Sequence, residues 1–508
     1  MDVPDDTMDE EIKPLCTRRP AIPLNEFPMD TLIHIQSFMD PADIISFRQC
    51  SKIMASATVH RTVWMDALRR VCAAHEVSIL TYPMENMSLA DLEHAATSPA
   101  RFIAQISKDR AADDLIPAFS TRLFEPRLPK SSSPTEPLLG NVSMMRLIPG
   151  GRYLVTSSDT AHVCVWDLGY SPAAVINPYP FVSTVLPEEP TDLLIQPTTD
   201  HNGFRFLVYY TLGNLFVEIM VFEFYPAATT PALKRIAKRR VASTLNLKGY
   251  SFTQDRFTYH HEFLVTTWDF VEDTCATVHV YQNLMTITAS PTSIIAQHAE
   301  GIVIVEIPPL HPSGTPAAEA VVEPVTPLPM LSHIHALFTD LSELYAFQAD
   351  WHSSPDVPLV LDVFGVLVDG SNAYARCLVK SIAGGDNDLP SSMPVLMGVS
   401  RVPAETWDAD MYGRLHFAGT HLVRTWPTSA SIMVNAARVP ARRQIEFESK
   451  TGWLWENARV ETWVYDLDVV SGRLVALAGP LEIRVLDFLL PTQGILICIF
   501  ARNLTYSA

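Results

Sequence analysis

Histidines and adjacent acids are the side chains of this 508-residue chain best suited to acid–base or metal chemistry. Close histidine pairs occur at His260-His261 and at His333/His335, and the acid pair Glu272-Asp273 lies in a predicted turn. Neither histidine pair has the cysteine or acid spacing of a metal site, and the HExxH, GxSxG, P-loop and GxGxxG motifs are absent. The sequence therefore predicts no metal, no cofactor and no catalytic residue, with the acid pair in a solvated loop.

Two groups of basic residues could instead recognise anionic groups. Four arginines lie in predicted strands towards the end of the sequence. They are Arg414, Arg424, Arg473 and Arg484. They could bind a phosphorylated motif through bidentate hydrogen bonds, or they could be ordinary outward-facing strand residues. The basic segment KRIAKRR at 234–240 could be a nuclear-localisation signal, a patch for an acidic ligand, or a solvated loop between strands.

The overall charge limits the class of partner. The formal net charge is −19, whereas nucleic-acid binding needs clustered lysines and arginines that neutralise phosphates. We therefore expect no nucleic-acid partner, and the acidic balance favours a protein partner with basic character.

Cysteine usage and apolar runs indicate the compartment. The seven cysteines are scattered, none forms a CxxC pair, and their odd number argues against a disulfide framework. We expect a reducing compartment, the cytosol and/or the nucleus. Residues 1–20 begin with an acidic run and are predicted to be a disordered tail rather than a signal peptide. No apolar run approaches the roughly 20 residues of a membrane span, so no membrane contact is expected.

The N-terminal region reads as three short helices. Leu32 and Ile35 repeat at helical spacing and predict a helix over 28–39. Asp40 and Pro41 then have the residue types of an N-cap and a first helical position, and a third helix is predicted over 59–74. So small a helical core is rarely stable alone, so its apolar surface must be covered by the rest of the chain or by a partner.

This region resembles an F-box of the fungal type, the module that binds the adaptor of SCF-type (cullin–RING) ubiquitin ligases. The similarity runs without gaps over the following positions. They are Phe27-Pro28, Leu32, Ile35, Met39, Asp40-Pro41, Asp43-Ile44, Phe47, Lys52 and Trp64. The sequence departs from the family pattern at Phe27 and Thr31, where leucine is usual, and at Cys50-Ser51.

The resemblance implies a Skp-type adaptor as partner and, through it, a cullin scaffold. It assigns six residues as adaptor-binding or core positions of the module. They are Phe27, Pro28, Leu32, Ile35, Ile44 and Trp64. Leu32 and Ile35 could equally belong to the core of the module, and Trp64 could be either core or interface.

Residues 76–125 are predicted to be a helical linker, with the F-box-like domain placed at 21–75. Ser88 and Asp91 have the spacing of a capping box, and Ser98-Pro99 is predicted to start a further helix. Residues 126–139 are rich in proline and serine and mark a domain boundary.

Beyond the boundary, residues 140–508 alternate in β-branched and aromatic residues and predict strands throughout. Many strands come in pairs. The pairs start near 152, 204, 262, 302, 359, 414 and 472. A repeat of roughly 40–60 residues in an all-β region is typical of propeller blades, and the starts predict about seven blades.

Residues 150–169 resemble one blade of a WD-repeat propeller, with Asp159 in a tight turn and Trp166-Asp167 ending the third strand. EIRVLDF at 482–488 resembles the same strand with leucine in place of tryptophan. Two further Trp-Asp pairs, at 268–269 and 407–408, are interpreted as coincidences because they fall at the wrong place in the repeat.

The predicted fold class is therefore multi-domain, α plus all-β, with a three-helix F-box, a helical linker and a degenerate WD-type propeller. The first functional hypothesis is a non-enzymatic substrate receptor of an SCF-type ligase, with the propeller binding a protein substrate. The alternative is a propeller scaffold whose helical cap packs internally. A third hypothesis is a propeller enzyme with unrecognised acids in its channel.

Overall fold

The computed structural model describes most of the chain outside several segments. It describes residues 23–75, 77–108, 114–128, 139–213, 215–242, 247, 249–261, 264–279, 284–289, 292–298, 301–313, 338–347, 359–367, 369, 372–381, 392–401, 414–418, 421–428, 431–438, 449–456 and 464–490. The predicted acidic tail, most of the proline-rich boundary, His333/His335 and the Trp-Asp pair at 407–408 lie outside these residues. The chain divides into two compact units, Met1–Ala67 and Leu68–Ala508.

The described residues up to 106 are built mainly from helices, and the first unit ends within the fourth of them. The α-helices of the described residues are α1 Met29–Gln36, α2 Pro41–Arg48, α3 Lys52–Thr58, α4 Arg61–Ala74 and α5 Leu89–Ile106. Helix α2 begins with Pro41 after the N-cap residue Asp40, as the sequence predicts. The prediction of three helices over this region misses α3, whose N-cap Ser51 accepts a hydrogen bond from the backbone N–H of Met54.

The core of the first unit forms between α1 and α3. Leu32, Met54 and Ala57 are fully or almost fully buried together. Phe27 and Phe47 pack against this cluster and are partly buried. Helix α3 thus supplies two of the three buried residues of this core, so the missed helix is the one that covers Leu32 of α1.

The second unit is dominated by strands. The first fourteen are β1 Ser120–Phe124, β2 Val142–Leu147, β3 Tyr153–Ser158, β4 His162–Asp167, β5 Val182–Val185, β6 Asp192–Pro197, β7 Phe204–Leu212, β8 Phe216–Phe224, β9 Lys234–Ala242, β10 Gly249–Thr253, β11 Arg256–His261, β12 Leu264–Asp269, β13 Thr274–His279 and β14 Leu284–Ala289. The others are β15 Ser293–His298, β16 Gly301–Glu306, β17 His311–Pro312, β18 Phe338–Phe347, β19 Leu359–Leu367, β20 Asn372–Ser381, β21 Ser392–Arg401, β22 Arg414–Ala418, β23 His421–Pro427, β24 Ser431–Arg438, β25 Ser449–Glu456, β26 Tyr465–Asp468, β27 Arg473–Gly479 and β28 Glu482–Asp487.

These described strands form seven antiparallel sheets whose strand order follows the chain. The orders are β2-β3-β4-β5, β6-β7-β8-β9, β10-β11-β12-β13-β17, β14-β15-β16, β18-β19-β20-β21, β22-β23-β24-β25 and β1-β28-β27-β26. Strand β1 completes the sheet formed by the last three strands, so the two ends of the strand region meet in one sheet. The first strands of neighbouring sheets contact one another, β26 with β2, β2 with β6, β6 with β10, and β10 with β14. Consecutive meanders joined in this way have the connectivity of a β-propeller.

An arginine–carboxylate pair recurs at the same place in four sheets. In each, an arginine at the start of the second strand, or just before it, faces an acid at the end of the third strand. The pairs are Arg152–Asp167 at 2.8 Å, Arg205–Glu223 at 2.9 Å, Arg256–Asp269 at 3.7 Å and Arg473–Asp487 at 2.6 Å. This repeat is not visible as a sequence motif, because the two partners are separated by a variable number of residues.

The pair at 268–269 corrects one interpretation of the sequence. Trp268 and Asp269 end β12, the third strand of its sheet, as Trp166 and Asp167 end β4. The interpretation as a coincidence is therefore wrong. The predicted repeat start near 262 lies just before β12, the third strand of this sheet. The sheet begins instead with β10 at Gly249.

The helical segment before the strands belongs to the second unit and packs on its sheets. Helix α5 contacts β22, β24 and β25, and the ring of Phe102 lies 5.8 Å from that of Phe488. Pro99 lies inside α5, so the prediction that a new helix starts there is wrong. Because proline has no backbone N–H, position 99 donates no hydrogen bond to the carbonyl of residue 95. The helix nevertheless continues through this position.

Gly150 allows the segment before α5 to approach the β2–β3 turn closely. Its φ is +94°, and a β-carbon there would lie 2.5 Å from Thr81 Cγ2. The hydroxyl of Thr81 donates to the carbonyl of Pro149, and that of Tyr82 donates to the carbonyl of Gly150. A side chain at position 150 would therefore separate the helical segment from the sheet.

Candidate protein-interaction surfaces

The six residues assigned by resemblance have very different exposures. Leu32, Ile44 and Trp64 have no exposed surface. Phe27 and Ile35 are half-buried, and Pro28 is exposed. The buried three hold the helices together, so only the others present surface that a partner could contact directly.

Trp64 is fixed from two sides within the first unit. Its indole N–H donates a 2.8 Å hydrogen bond to the carbonyl of Thr58 at the end of α3. The guanidinium of Arg48 lies 5.5 Å from the ring centroid and also donates from Nε to the Thr58 hydroxyl at 2.9 Å. Trp64 therefore links α4 to the ends of α2 and α3.

The first unit exposes several apolar side chains. They are Leu24, Met29, Phe38, Ile53 and Val59. Phe38 is 74% exposed, and its ring contacts only the edge of His34 among the described aromatic side chains. Sequence reasoning missed Phe38 as a candidate contact because its spacing fits the apolar stripe of a helix that in fact ends at Gln36.

The four candidate arginines are not assembled into a phosphate site. Arg473 is 1% exposed, and its guanidinium is bound by Asp487 and by the carbonyls of Gly151 and Gly169. Arg424 is also buried, so the interpretation of these residues as outward-facing is wrong for both. Arg484 is half-exposed beside Glu482 at 3.6 Å.

Arg414 belongs instead to a polar network along the first strands of neighbouring sheets. It pairs with Asp466 of β26, which accepts a 2.6 Å hydrogen bond from the backbone N–H of Leu147 in β2. Arg146 of β2 lies 3.3 Å from Asp192 of β6. Because each charge has an opposite partner, the network stabilises sheet contacts and has little unpaired charge to offer a ligand.

The half-buried His416 borders this network. Burial lowers the pKa of His416 to about 4, although Asp466 nearby opposes the shift. The imidazole is therefore neutral at physiological pH and does not add to the positive charge of Arg146 and Arg414.

Two of the residues first considered for acid–base chemistry, His260 and Asp273, lie in or next to the sheet that contains β11 and β12. His260 is buried on β11, and Asp273 accepts a hydrogen bond from the indole N–H of Trp268 at 3.0 Å. Burial raises the pKa of the Cys72 and Cys164 thiols to about 12, which keeps them protonated. Within the described ranges, no group of three or more His, Cys, Asp or Glu side chains is arranged to hold a metal ion.

Glu218 on β8 is a buried carboxylate neutralised by the basic segment. Lys238 Nζ lies 2.7 Å from Oε1 and Arg240 Nη2 lies 2.9 Å from Oε2, and the Tyr210 hydroxyl donates to the same carboxylate. Burial opposes ionisation, but the hydrogen bonds from Lys238, Tyr210 and Arg240 outweigh it and lower the pKa of Glu218 from 4.5 to about 2. The segment 234–240 is thus a strand, and its prediction as a loop is wrong.

We expect the contribution of Glu218 to the stability of the fold to depend on pH. Because its pKa is lower in the folded state, the contribution is complete above the unfolded pKa of 4.5 and is lost as the pH falls towards about 2. In urea titrations, Glu218→Gln should be less stable than wild type near pH 7 and should lose less stability between about pH 5 and about pH 3. The control is Glu482→Gln, which changes a half-exposed carboxylate. Equal pH slopes for Glu218→Gln and wild type would contradict the assignment of this pH dependence to Glu218.

Among the described residues, no helix is long and apolar enough to cross a membrane.

No protein-family model and no curated protein matches the chain. Solved structures of similar fold include the WD40 repeats of RRP9, at 8% identity and a TM-score of 0.39, covering 73% of this chain and 98% of that one. The β-propeller domain of Cps50 (Swd1) from Myceliophteria thermophila matches at 11% identity and a TM-score of 0.38, covering 68% and 96%. A chain of the mitotic checkpoint complex matches at 8% identity and a TM-score of 0.38, covering 75% and 96%.

Proposed function

We propose that this protein is a substrate receptor of an SCF-type (cullin–RING) ubiquitin ligase, working in the cytosol and/or nucleus. The first unit binds a Skp-type adaptor and, through it, a cullin. The sheets of the second unit form a seven-bladed propeller that binds a protein substrate. Other subunits carry out ubiquitin transfer, and this chain accelerates it by holding the substrate close to them.

One observation supports the proposal most directly. The residues that resemble an F-box lie in a compact unit, Met1–Ala67, that has its own buried core around Leu32 and yet exposes large apolar side chains. A helical unit that is stable and still exposes apolar surface is suited to binding a partner.

A second function, a propeller scaffold without a ligase role, is favoured by the packing of α5. This helix and the segment before it lie against the sheets of the second unit, so part of the helical region already acts as an internal cap. The two functions differ in whether the first unit binds an adaptor.

Co-purification with a Skp-type adaptor distinguishes them. We expect wild type to bind, and Pro28→Ala/Ile35→Ala/Phe38→Ala to bind at least about tenfold more weakly, because apolar anchors dominate such interfaces. The matched control is Ile53→Ala/Val59→Ala, which removes exposed apolar side chains from α3 and the residue that follows it.

Circular dichroism of each variant checks that its helices remain folded. Binding that is lost in the first variant and kept in the control supports the ligase receptor. Failure of wild type to bind would reject it in favour of the scaffold. Equal losses in both variants would reject the assignment of Pro28, Ile35 and Phe38 as the contact residues.

A further inference from the structure

Strand β9 is a basic strand on the edge of a sheet in a strongly acidic protein. Five of its nine residues, Lys234–Ala242, are lysine or arginine, whereas the chain carries a net charge of −19. Its inner edge pairs with β8 from Phe216↔Ala242 to Glu223↔Lys234, with one irregularity near Val221. No other described strand pairs with its outer edge.

The outer edge is long and open enough to accept another strand. Nine residues in extended conformation span about 30 Å and present alternating backbone N–H and C=O groups along the edge. Strand addition to such an edge is an established mode of peptide recognition, in which backbone bonds provide affinity and side chains provide specificity.

The basic side chains divide into two functional groups. Lys238 and Arg240 neutralise buried Glu218, and Arg239 is held by the Ser313 hydroxyl at 2.9 Å and by the ring of Trp268. These contacts make the strand rigid. Lys234 and Arg235 are exposed, and the side chain of neither makes an ion pair or hydrogen bond within the described part of the chain.

The charge of β9 decides which strands can pair with it. A second copy of β9, or any basic strand, is repelled, and an apolar strand would leave Lys234 and Arg235 without partners. An acidic strand gains both the backbone ladder and cross-strand ion pairs. A nucleic acid cannot form the backbone ladder and would be repelled by the acidic remainder of the protein.

We propose that β9 binds an extended acidic segment of a partner protein as an added fifth strand of the β6–β9 sheet. This surface is independent of adaptor binding and would serve a ligase receptor and a scaffold equally.

The test uses the purified full chain and a fluorescent nine-residue peptide that alternates glutamate with valine or threonine. We expect binding by fluorescence anisotropy at low salt, weakened at least about tenfold when NaCl is raised from about 0.05 M to about 0.5 M. Lys234→Glu/Arg235→Glu should weaken binding by a similar factor, about tenfold or more, and leaves the partners of Glu218 intact. The control Arg127→Glu reverses an exposed arginine that already pairs with Glu125.

Two modified peptides separate charge from backbone recognition. A glutamine version should lose binding because the ion pairs are removed, and a version with alternate N-methylated backbone nitrogens should lose it because the ladder cannot form. No binding by wild type, equal losses in Lys234→Glu/Arg235→Glu and Arg127→Glu, or undiminished binding of either modified peptide would overturn the proposal. Displacement of the peptide by oligo(dT) at lower concentration than by unlabelled peptide would also overturn it, in favour of a nucleic-acid site.

Discussion

Replacing Asp487 with alanine will lower the free energy of unfolding of the second unit by about 3–5 kcal/mol. The carboxylate is 5% exposed and binds two arginines, Arg473 Nε at 2.6 Å and Arg122 Nη2 at 2.9 Å. Arg473 is 2% exposed at its side chain and Arg122 is 13% exposed. Removing Asp487 therefore leaves two buried positive charges beside each other without their counter-ion.

The effect extends beyond the sheet that contains β28, because the same two arginines also bind backbone carbonyls next to the β2–β5 sheet. Arg473 donates to Gly151 and Gly169, and Arg122 donates to Leu168 at 2.8 Å. Asp487 thus holds the side chains that join the last sheet to the turns around β3 and β4. Loss of the carboxylate weakens the contact that closes the arrangement of sheets.

Urea unfolding of the full chain, followed by circular dichroism, measures the change. The matched control is Glu482→Ala, which removes an acid from the same strand but breaks only a half-exposed pair with Arg484 at 3.6 Å. We expect the control to cost less than about 1 kcal/mol. Similar losses for Asp487→Ala and Glu482→Ala would show that burial of the arginine pair does not govern stability.

Replacing Trp64 with alanine will destabilise the first unit by about 3–5 kcal/mol, through lost packing and the cavity left behind. The side chain is fully buried, donates to the carbonyl of Thr58 and carries the guanidinium of Arg48 over its ring. Its removal leaves that carbonyl without the indole donor and releases Arg48 from its stacking contact.

Hydrogen–deuterium exchange of the full chain locates the effect. Amides of α1 and α3 should lose roughly two to four orders of magnitude of protection, while amides of β3 and β4 in the second unit remain unchanged. Phe38→Ala removes an aromatic side chain that is 74% exposed and should leave protection in α1 and α3 close to wild type. Equal loss of protection in β3 and β4 would contradict the independence of the first unit's core.

Exposure explains why the predicted adaptor residues should not all be tested in the same way. Leu32, Ile44 and Trp64 have no exposed surface, so their substitution tests folding. Phe27, Pro28 and Ile35 retain surface, as does Phe38, which was not predicted, so substitution of these residues tests binding. A helical stripe in the sequence identifies residues that must be covered, but the other helices decide which of them are covered internally.

The sequence predicts the presence of strands better than it predicts the position of each strand within its sheet. The seven predicted pair starts fall in seven different sheets, yet they coincide with the first, second or third strand depending on the sheet. Alternating apolar residues indicate a strand, but nothing local states whether it lies at the centre or the edge of a sheet. The misplacement of Trp268-Asp269 arises from this ambiguity.

The sequence by itself determined where most of the helices and strands occur, because periodicity, caps and turn residues act between near neighbours. It also identified the Trp166-Asp167 strand end and the segment that resembles an F-box. Only the tertiary structure decided the pairing of β1 with β28, the recurring arginine–carboxylate pairs and the open basic edge of β9. Arg122 and Asp487 are 365 positions apart, and such contacts depend on the closure of the whole arrangement of sheets rather than on any local pattern.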